Sequence, residues 1–262
     1  MIDLRRRDGR PLVIGHRGAP LVAPENTIAS FRTAVDLGVD LVEFDVLALH
    51  RGPLVVAHSD RLDEITHGVV SGTVGDRSLG ELRELAPDLP TLDEALEWLA
   101  LEGDGVGAHV DLKLRSRADE VAAAIERHGV GERTVVSTFH ADVLRDVARM
   151  STRIRLAFTY PEDRLGMARH PAFQPVIRTA LSGLKRSLPA RLPRLLARSG
   201  ATALMLNHAL VTPAAVRSAG QLGAPVLAWT VDEPREVDRV VGLGVDGVIT
   251  NDPAMVAATL AA

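Results

Sequence analysis

Eight short apolar runs recur along the chain, each followed by a longer segment of helical periodicity. This alternation narrows the fold more than any other feature. The runs are Leu12–Gly15, Leu41–Val46, His109–Leu114, Thr134–Phe139, Ile154–Thr159, Ala203–Asn207, Val226–Val231 and Gly247–Thr250. Each is almost continuously apolar, as a parallel strand covered on both faces must be. Eight such units predict the α/β class and a closed (β/α)8 TIM barrel. A chain of 262 residues fits one such barrel. No stretch has linker composition, so residues 1–262 read as a single domain.

The segments between the runs carry helix punctuation. Asn26 or Thr27 is placed to cap a helix whose Ile28, Phe31 and Val35 share one face, with Gly38 at its end. Thr91 and Glu94 form a capping box, and Thr212-Pro213 and Asp252-Pro253 each read as an N-cap followed by proline at the first helical position. One connection is irregular. After the second run come an extra apolar run, Leu54–Ala57, and a polar stretch rich in Gly and Thr. Residues 54–90 are therefore expected to form a small insertion on the barrel, placed to act as a lid.

Several function classes are excluded or disfavoured by composition. A net charge of −4 supplies no general attraction to nucleic acid, and 3% aromatic residues leave little for base stacking. The absence of cysteine excludes disulfides, thiolate metal sites and cysteine nucleophiles. The first eleven residues hold no apolar run fit for a signal peptide, and no run approaches the ~18 apolar residues of a membrane span. The expectation is a cytoplasmic protein.

In a β/α barrel the site lies at the C-terminal ends of the strands. His16 and Arg17 follow the first run there. Glu43 and Asp45 lie two apart in the second, so they face the same way, and His58 ends the extra run. Asp111 and Lys113 repeat that spacing in the third run, and Trp229 ends the seventh, where it reads as substrate wall or as core. A same-face acidic pair inside an apolar strand is costly unless neutralised. Glu43, Asp45 and Asp111 offer hard oxygen ligands for Mg²⁺ or Ca²⁺, with Mn²⁺ as a substitute; the plainer reading pairs them with Arg17 and Lys113. Those two cations also suit a phosphate, and His16 and His58 suit a general base and a general acid. Together the groups describe in-line displacement at phosphorus.

The motifs GHRGAP (15–20), PENT (24–27), EFDV (43–46), VVAH (55–58), VDLK (110–113), STF (137–139), WTVD (229–232) and GVDGVITNDP (244–253) resemble, in order, those of the glycerophosphodiester phosphodiesterases. The resemblance runs from about Val13 to Pro253. It implies a β/α barrel, a divalent metal, and hydrolysis of a small-molecule glycerophosphodiester to glycerol 3-phosphate and an alcohol. By the motif match, His16 and His58 take the acid/base roles, Glu43, Asp45 and Asp111 the metal, and Arg17 and Lys113 the phosphate. The chain departs from the family pattern at three places. Ser59 stands where Asp usually follows the second histidine, with Asp60 one further on. Asp111 replaces the usual Glu, and Leu49-His50-Arg51-Gly52 replaces T-x-D-G. Two alternatives accompany the main reading: a phospholipase D-like relative acting on lysophospholipids, and a non-catalytic barrel that binds phosphodiesters, favoured only by Ser59.

The remaining histidines, His50, His67, His109, His128, His140, His170 and His208, read as structural or surface residues. His109 shares the parity of Asp111 but is expected deeper, and Asn207 with His208 are secondary substrate-contact candidates. Glu25 and Asn26 are expected to fix their loop. Finally, residues 164–198 hold eight Lys or Arg and no Asp or Glu. This is a solvated connection or a basic surface for anionic lipid. Pro171, Pro175, Pro189 and Pro193 are expected to break any long helix there.

Overall fold

Strand β1 (Leu12–Gly15) is built from residues whose two faces both need cover, and its neighbours supply it. It pairs in parallel with β2 (Leu41–Ala48) on one side and with β9 (Gly247–Thr250) on the other. Between them, β4 (Gly107–Leu112), β5 (Thr134–Thr138), β6 (Arg155–Tyr160), β7 (Ala203–Asn207) and β8 (Val226–Trp229) complete a closed ring of eight parallel strands. The extra run forms β3 (Leu54–Val56), an antiparallel strand attached to the outer part of β2. The chain thus folds as the (β/α)8 barrel that its alternation predicts. The structure is a computed structural model and describes residues 1–66, 68–162 and 174–262, with backbone alone over 174–180.

Alternation of side chains puts one parity of every strand inside the ring. Toward the N-terminal ends this interior is apolar: Leu12, Ile14, Leu41, Val135, Met205 and Leu227 are all buried there. Leu4, before the first strand, is fully buried in the same cluster and stops the bottom of the barrel. Arg155 donates to the carbonyl of Ile2 at 3.0 Å, and Arg6 to that of Val245 at 2.8 Å, which ties the stopper in place. The opposite parity packs on the surrounding helices in a second, larger core.

Helix α1 (Ile28–Asp36) is capped by Thr27, which accepts from the Ser30 amide; Asn26 does other work, described below. After β3 the insertion adds α2 (Leu62–Ile65) and α3 (Leu79–Leu85) before α4 (Leu92–Leu101), which begins with the expected Thr91–Glu94 capping box. Leu47, Leu49, Val55, Leu62, Val74 and Leu82 give the insertion a small core of its own. Helices α5 (Ala118–Arg127) and α6 (Ala141–Met150) follow β4 and β5.

Helix α7 (Gln174–Ser199) corrects the sequence reading. It runs straight through Pro189 and Pro193. The hydrogen bonds lost at the prolines are outweighed by burial of Leu188, Leu192 and Leu196, spaced four apart on the barrel side. Moreover, the Pro189 carbonyl, which Pro193 cannot serve, accepts from the Ser218 hydroxyl at 3.0 Å. Lys185, Arg186, Arg191, Arg194 and Arg198 are all exposed on the outer side. The remaining members of the basic stretch, Arg164 and Arg169, together with Pro171, His67 and His170, lie outside the described residues. Pro175 and Arg178 fall where only backbone is described. Helices α8 (Pro213–Gln221), α9 (Pro234–Gly242) and α10 (Pro253–Ala261) complete the ring, each with proline in its first turn. Among the described residues no helix is long and apolar enough to cross a membrane.

Candidate active site

The loop after β1 is forced into shape by what lies beside it. Arg17 and Gly18 have φ of 57° and 90°, and a Cβ on Gly18 would sit 2.3 Å from the Ser30 hydroxyl oxygen. Only glycine fits there. The turn brings the Arg17 amide onto Glu43 Oε2 at 2.7 Å and the Arg17 side chain into the barrel mouth, with Nε 3.1 Å from Asp45 Oδ2. Its other end is clamped by Glu25, at 2.9 and 3.0 Å. Asn26 also adopts a positive φ, of 58°, and brackets Asp45. Its side chain donates to Asp45 Oδ2 at 3.0 Å and accepts from the Asp45 amide at 3.2 Å.

Register places Glu43 opposite His109 and Asp45 opposite Asp111, all facing inward. One carboxylate oxygen from each of Glu43, Asp45 and Asp111 lies within 4.8 Å of the other two, and all three residues are buried. Lys113 Nζ lies 2.9 Å from Asp45 Oδ1 and also bonds Asp111 Oδ2; the Ser137 hydroxyl donates to Asp111 Oδ1. Three carboxylates therefore share two cations. Burial works against an ionised Asp45, but Lys113 and Arg17 outweigh it and hold that carboxyl well below its usual range. Glu43 is the member left uncompensated: burial, then Asp45 and Asp111, push it well above the usual carboxylate range. A hard dication held by these three oxygen donors fits the imbalance.

The two sequence-predicted histidines line one cavity of about 180 Å³ with Arg17, Glu43, Asp111 and Lys113. Trp229 lines it too, with its ring 6.2 Å from that of Phe139. His16 Nδ1 is 2.7 Å from Asn251 Oδ1. The Asn251 amide donates to Asp232 at 2.7 Å, so its oxygen must face the histidine, and His16 Nδ1 must carry the proton. Burial, then the neighbouring Arg17, lowers the His16 pKa to about 4. On the other side, His58 Nδ1 is 3.0 Å from Glu64 Oε2, which also accepts from the Ser59 hydroxyl at 2.7 Å. A second cavity, of about 220 Å³, adjoins the first at His58 and opens between Glu25, Glu64 and Asp88.

Several assignments change. His109 is not a detached core residue: it sits deep, as expected, but it lines the main cavity and bonds Ser137 at 2.8 Å. Burial lowers its pKa to about 4. Its Nδ1, the Thr159 hydroxyl and the Trp229 indole nitrogen are all buried without a hydrogen-bond partner, and all three residues line that cavity. Asn207 and His208, by contrast, do not line it. Asn207 accepts from the Ala209 amide at 3.1 Å, and His208 pairs with Glu236 at 3.0 Å. Glu64, Asn251 and Asp232 received no role from sequence, although the last two stand inside the WTVD and TNDP motifs.

The deciding comparison is with family models. The model described as the Glycerophosphoryl diester phosphodiesterase family matches residues 16–255, nearly the whole chain.

The chain belongs to this family.

A glycerophosphodiester phosphodiesterase of Caldanaerobacter subterraneus is 30% identical, over 93% of this chain and 95% of its own length. Among solved structures, that of a glycerophosphodiester phosphodiesterase from Thermotoga maritima superposes with a TM-score of 0.72 at 22% identity, covering 95% of this chain and 98% of the other. An Oleispira antarctica phosphodiesterase, solved in complex with the product sn-glycerol-3-phosphate, gives 0.74 at 22%, covering 96% and 97%. As a glycerophosphoryl diester phosphodiesterase family member, the chain is an enzyme, a phosphoric diester hydrolase, and its chemistry is glycerophosphodiester hydrolysis.

Proposed function

We propose that the chain, acting as one barrel domain, converts glycerophosphodiesters to glycerol 3-phosphate and an alcohol by histidine acid/base catalysis with a divalent cation. The observation that carries this is the convergence of His16, His58, Arg17, Glu43, Asp111 and Lys113 on one cavity. His16 is the general base: its neutral ring has Nδ1–H held by Asn251, which leaves the Nε2 lone pair to take a proton from the attacking oxygen. His58, whose Nδ1 faces a carboxylate, gains an ion pair when protonated and is the general acid for the leaving alkoxide. Arg17 and Lys113 offset the phosphate charge. A dication held by Glu43, Asp45 and Asp111 would polarise the phosphoryl oxygens and add to that neutralisation. Trp229, with the unpartnered groups of His109 and Thr159, offers donors and acceptors for the glycerol hydroxyls.

The test is hydrolysis of glycerophosphocholine with and without EDTA, followed by addition of Mg²⁺, Ca²⁺ or Mn²⁺. Loss on chelation and recovery on addition is the expected result. Full activity in a metal-stripped sample would remove the three carboxylates from the metal role.

The exposed basic side of α7 favours a second reading, contact with an anionic lipid surface. It would bring lysophospholipid rather than soluble diesters to the mouth, each basic residue contributing about 1 kcal/mol. Co-sedimentation with anionic vesicles at low salt checks it, and protein left in the supernatant removes it.

A further inference from the structure

We propose that Glu64, braced by Ser59, is the positioning residue for His58 and orients the ring so that Nε2 is the atom that protonates the leaving alkoxide. The proposal rests on the acid/base reading above and extends it to residues in the insertion. A carboxylate only accepts hydrogen bonds. One oxygen, Glu64 Oε2, lies 3.0 Å from His58 Nδ1 and 2.7 Å from the Ser59 hydroxyl, so both groups must donate to it. His58 Nδ1 therefore carries a proton, and Nε2 is the nitrogen left for the cavity. When Nε2 also takes up a proton, the charge forms directly against the carboxylate. The arrangement has the donor–carboxylate logic by which a buried acid orients a catalytic imidazole.

Local geometry explains why Glu64 can reach. Leu62 is fully buried in the insertion core, which anchors the start of α2, and its carbonyl accepts from the Thr66 amide, which closes the turn. That single turn swings Glu64 back toward His58, six residues earlier. Asp60, the nearest alternative in sequence, is occupied elsewhere: its Oδ1 accepts from the Gly75 amide at 2.6 Å and closes the insertion loop. Ser59, which departs from the usual family residue, thus supports the carboxylate instead of supplying it. The plainer role for Glu64 is an acidic residue in the first turn of α2 that pairs with Arg61, at 3.8 Å.

Leaving-group chemistry separates the two roles. An alkoxide must be protonated as it departs, whereas p-nitrophenolate departs without help. The experiment measures kcat and KM of the metal-loaded enzyme on glycerophosphocholine and on the p-nitrophenyl diester of glycerol 3-phosphate. Glu64→Gln, which keeps shape but removes charge, is expected to lower kcat on glycerophosphocholine roughly 10–100-fold. KM and the p-nitrophenyl rate should stay near parent values. Ser59→Ala should repeat the pattern with a smaller loss, and a melting curve on each variant reports folding. Equal losses of Glu64→Gln on both diesters, or no loss on glycerophosphocholine, would overturn the proposal. A parent enzyme inactive on both would instead remove the acid/base reading beneath it.

Discussion

His16 and His58 line the same cavity, yet they are held by different parts of the molecule and by different chemistry. His16 belongs to the barrel: it follows β1, and its partner Asn251 follows β9. That partner is a neutral amide, itself anchored to Asp232. His58 belongs to the insertion, and its partner Glu64 is a carboxylate on a four-residue helix. A neutral amide oxygen orients the His16 ring through one hydrogen bond, whereas at His58 the hydrogen-bond partner also carries a full negative charge. On the proposed mechanism, the difference suits His16, in the barrel ring, to the base role and His58, in the appended segment, to the acid role.

The strongest test removes each ring. His16→Ala or His58→Ala is expected to lower kcat on glycerophosphocholine by about 10²–10⁴-fold, with little change in melting temperature. The comparison sharpens if only His58→Ala is rescued by a p-nitrophenyl leaving group. Parent-level turnover in both variants would end it.

Next in size is the support under His58. Leu62→Ala empties a fully buried position in the insertion core, a change that costs about 2–5 kcal/mol where the site cannot collapse. Because this core is a cluster distinct from the two cores of the barrel, although Leu47 of β2 joins it, activity is expected to fade on heating before the barrel melts. Coincident loss of activity and of circular dichroism would show that the two halves unfold as one.

Asn251→Asp makes the two histidines alike. A carboxylate beside His16 raises its pKa from about 4, and a base must be unprotonated to act. The acid limb of kcat/KM should therefore move to higher pH, and the rate at a fixed pH on that limb should drop about tenfold for every pH unit the limb moves. An unmoved limb would take the base role from His16.

The smallest effect concerns the shared centre. Glu43 titrates above the 4.5 of a free side chain, so its buried environment favours the protonated form. For such a group stability falls as pH rises from the unfolded value through the folded one. Glu43→Gln removes that loss. With chelator at pH 7 it should melt higher than the parent, by roughly 2–4 °C per kcal/mol gained, and the gain should vanish as pH falls below 4.5.

Much of this was legible in the chain. The eight apolar runs, the Thr91–Glu94 box and the proline-led helices follow local rules, and the structure obeys them. Glu43, Asp45, Asp111 and Lys113 were legible because period-two spacing in a strand dictates facing. Glu64 was not, because its contact with His58 depends on where a single helical turn points. The course of α7 was hidden for another reason. Proline rules are local, but buried Leu188, Leu192 and Leu196 act through the barrel they pack on. The depth of His109 follows from its parity with Asp111, but its bond to Ser137 crosses from β4 to β5 and has no signal in the local sequence.

The pairing of β1 with β9, Leu12 opposite Gly247 through Gly15 opposite Thr250, has a consequence for a chain made from one end. At the ~5–20 residues per second of protein synthesis, β9 leaves the ribosome roughly 10–50 s after β1. Until then the ring has a gap, and the inward faces of Leu12 and Ile14 have no wall on one side. His16 likewise has no Asn251. The inner wall of the barrel therefore stays open until β9 is made, and on the proposed mechanism the base gains its partner only with that strand.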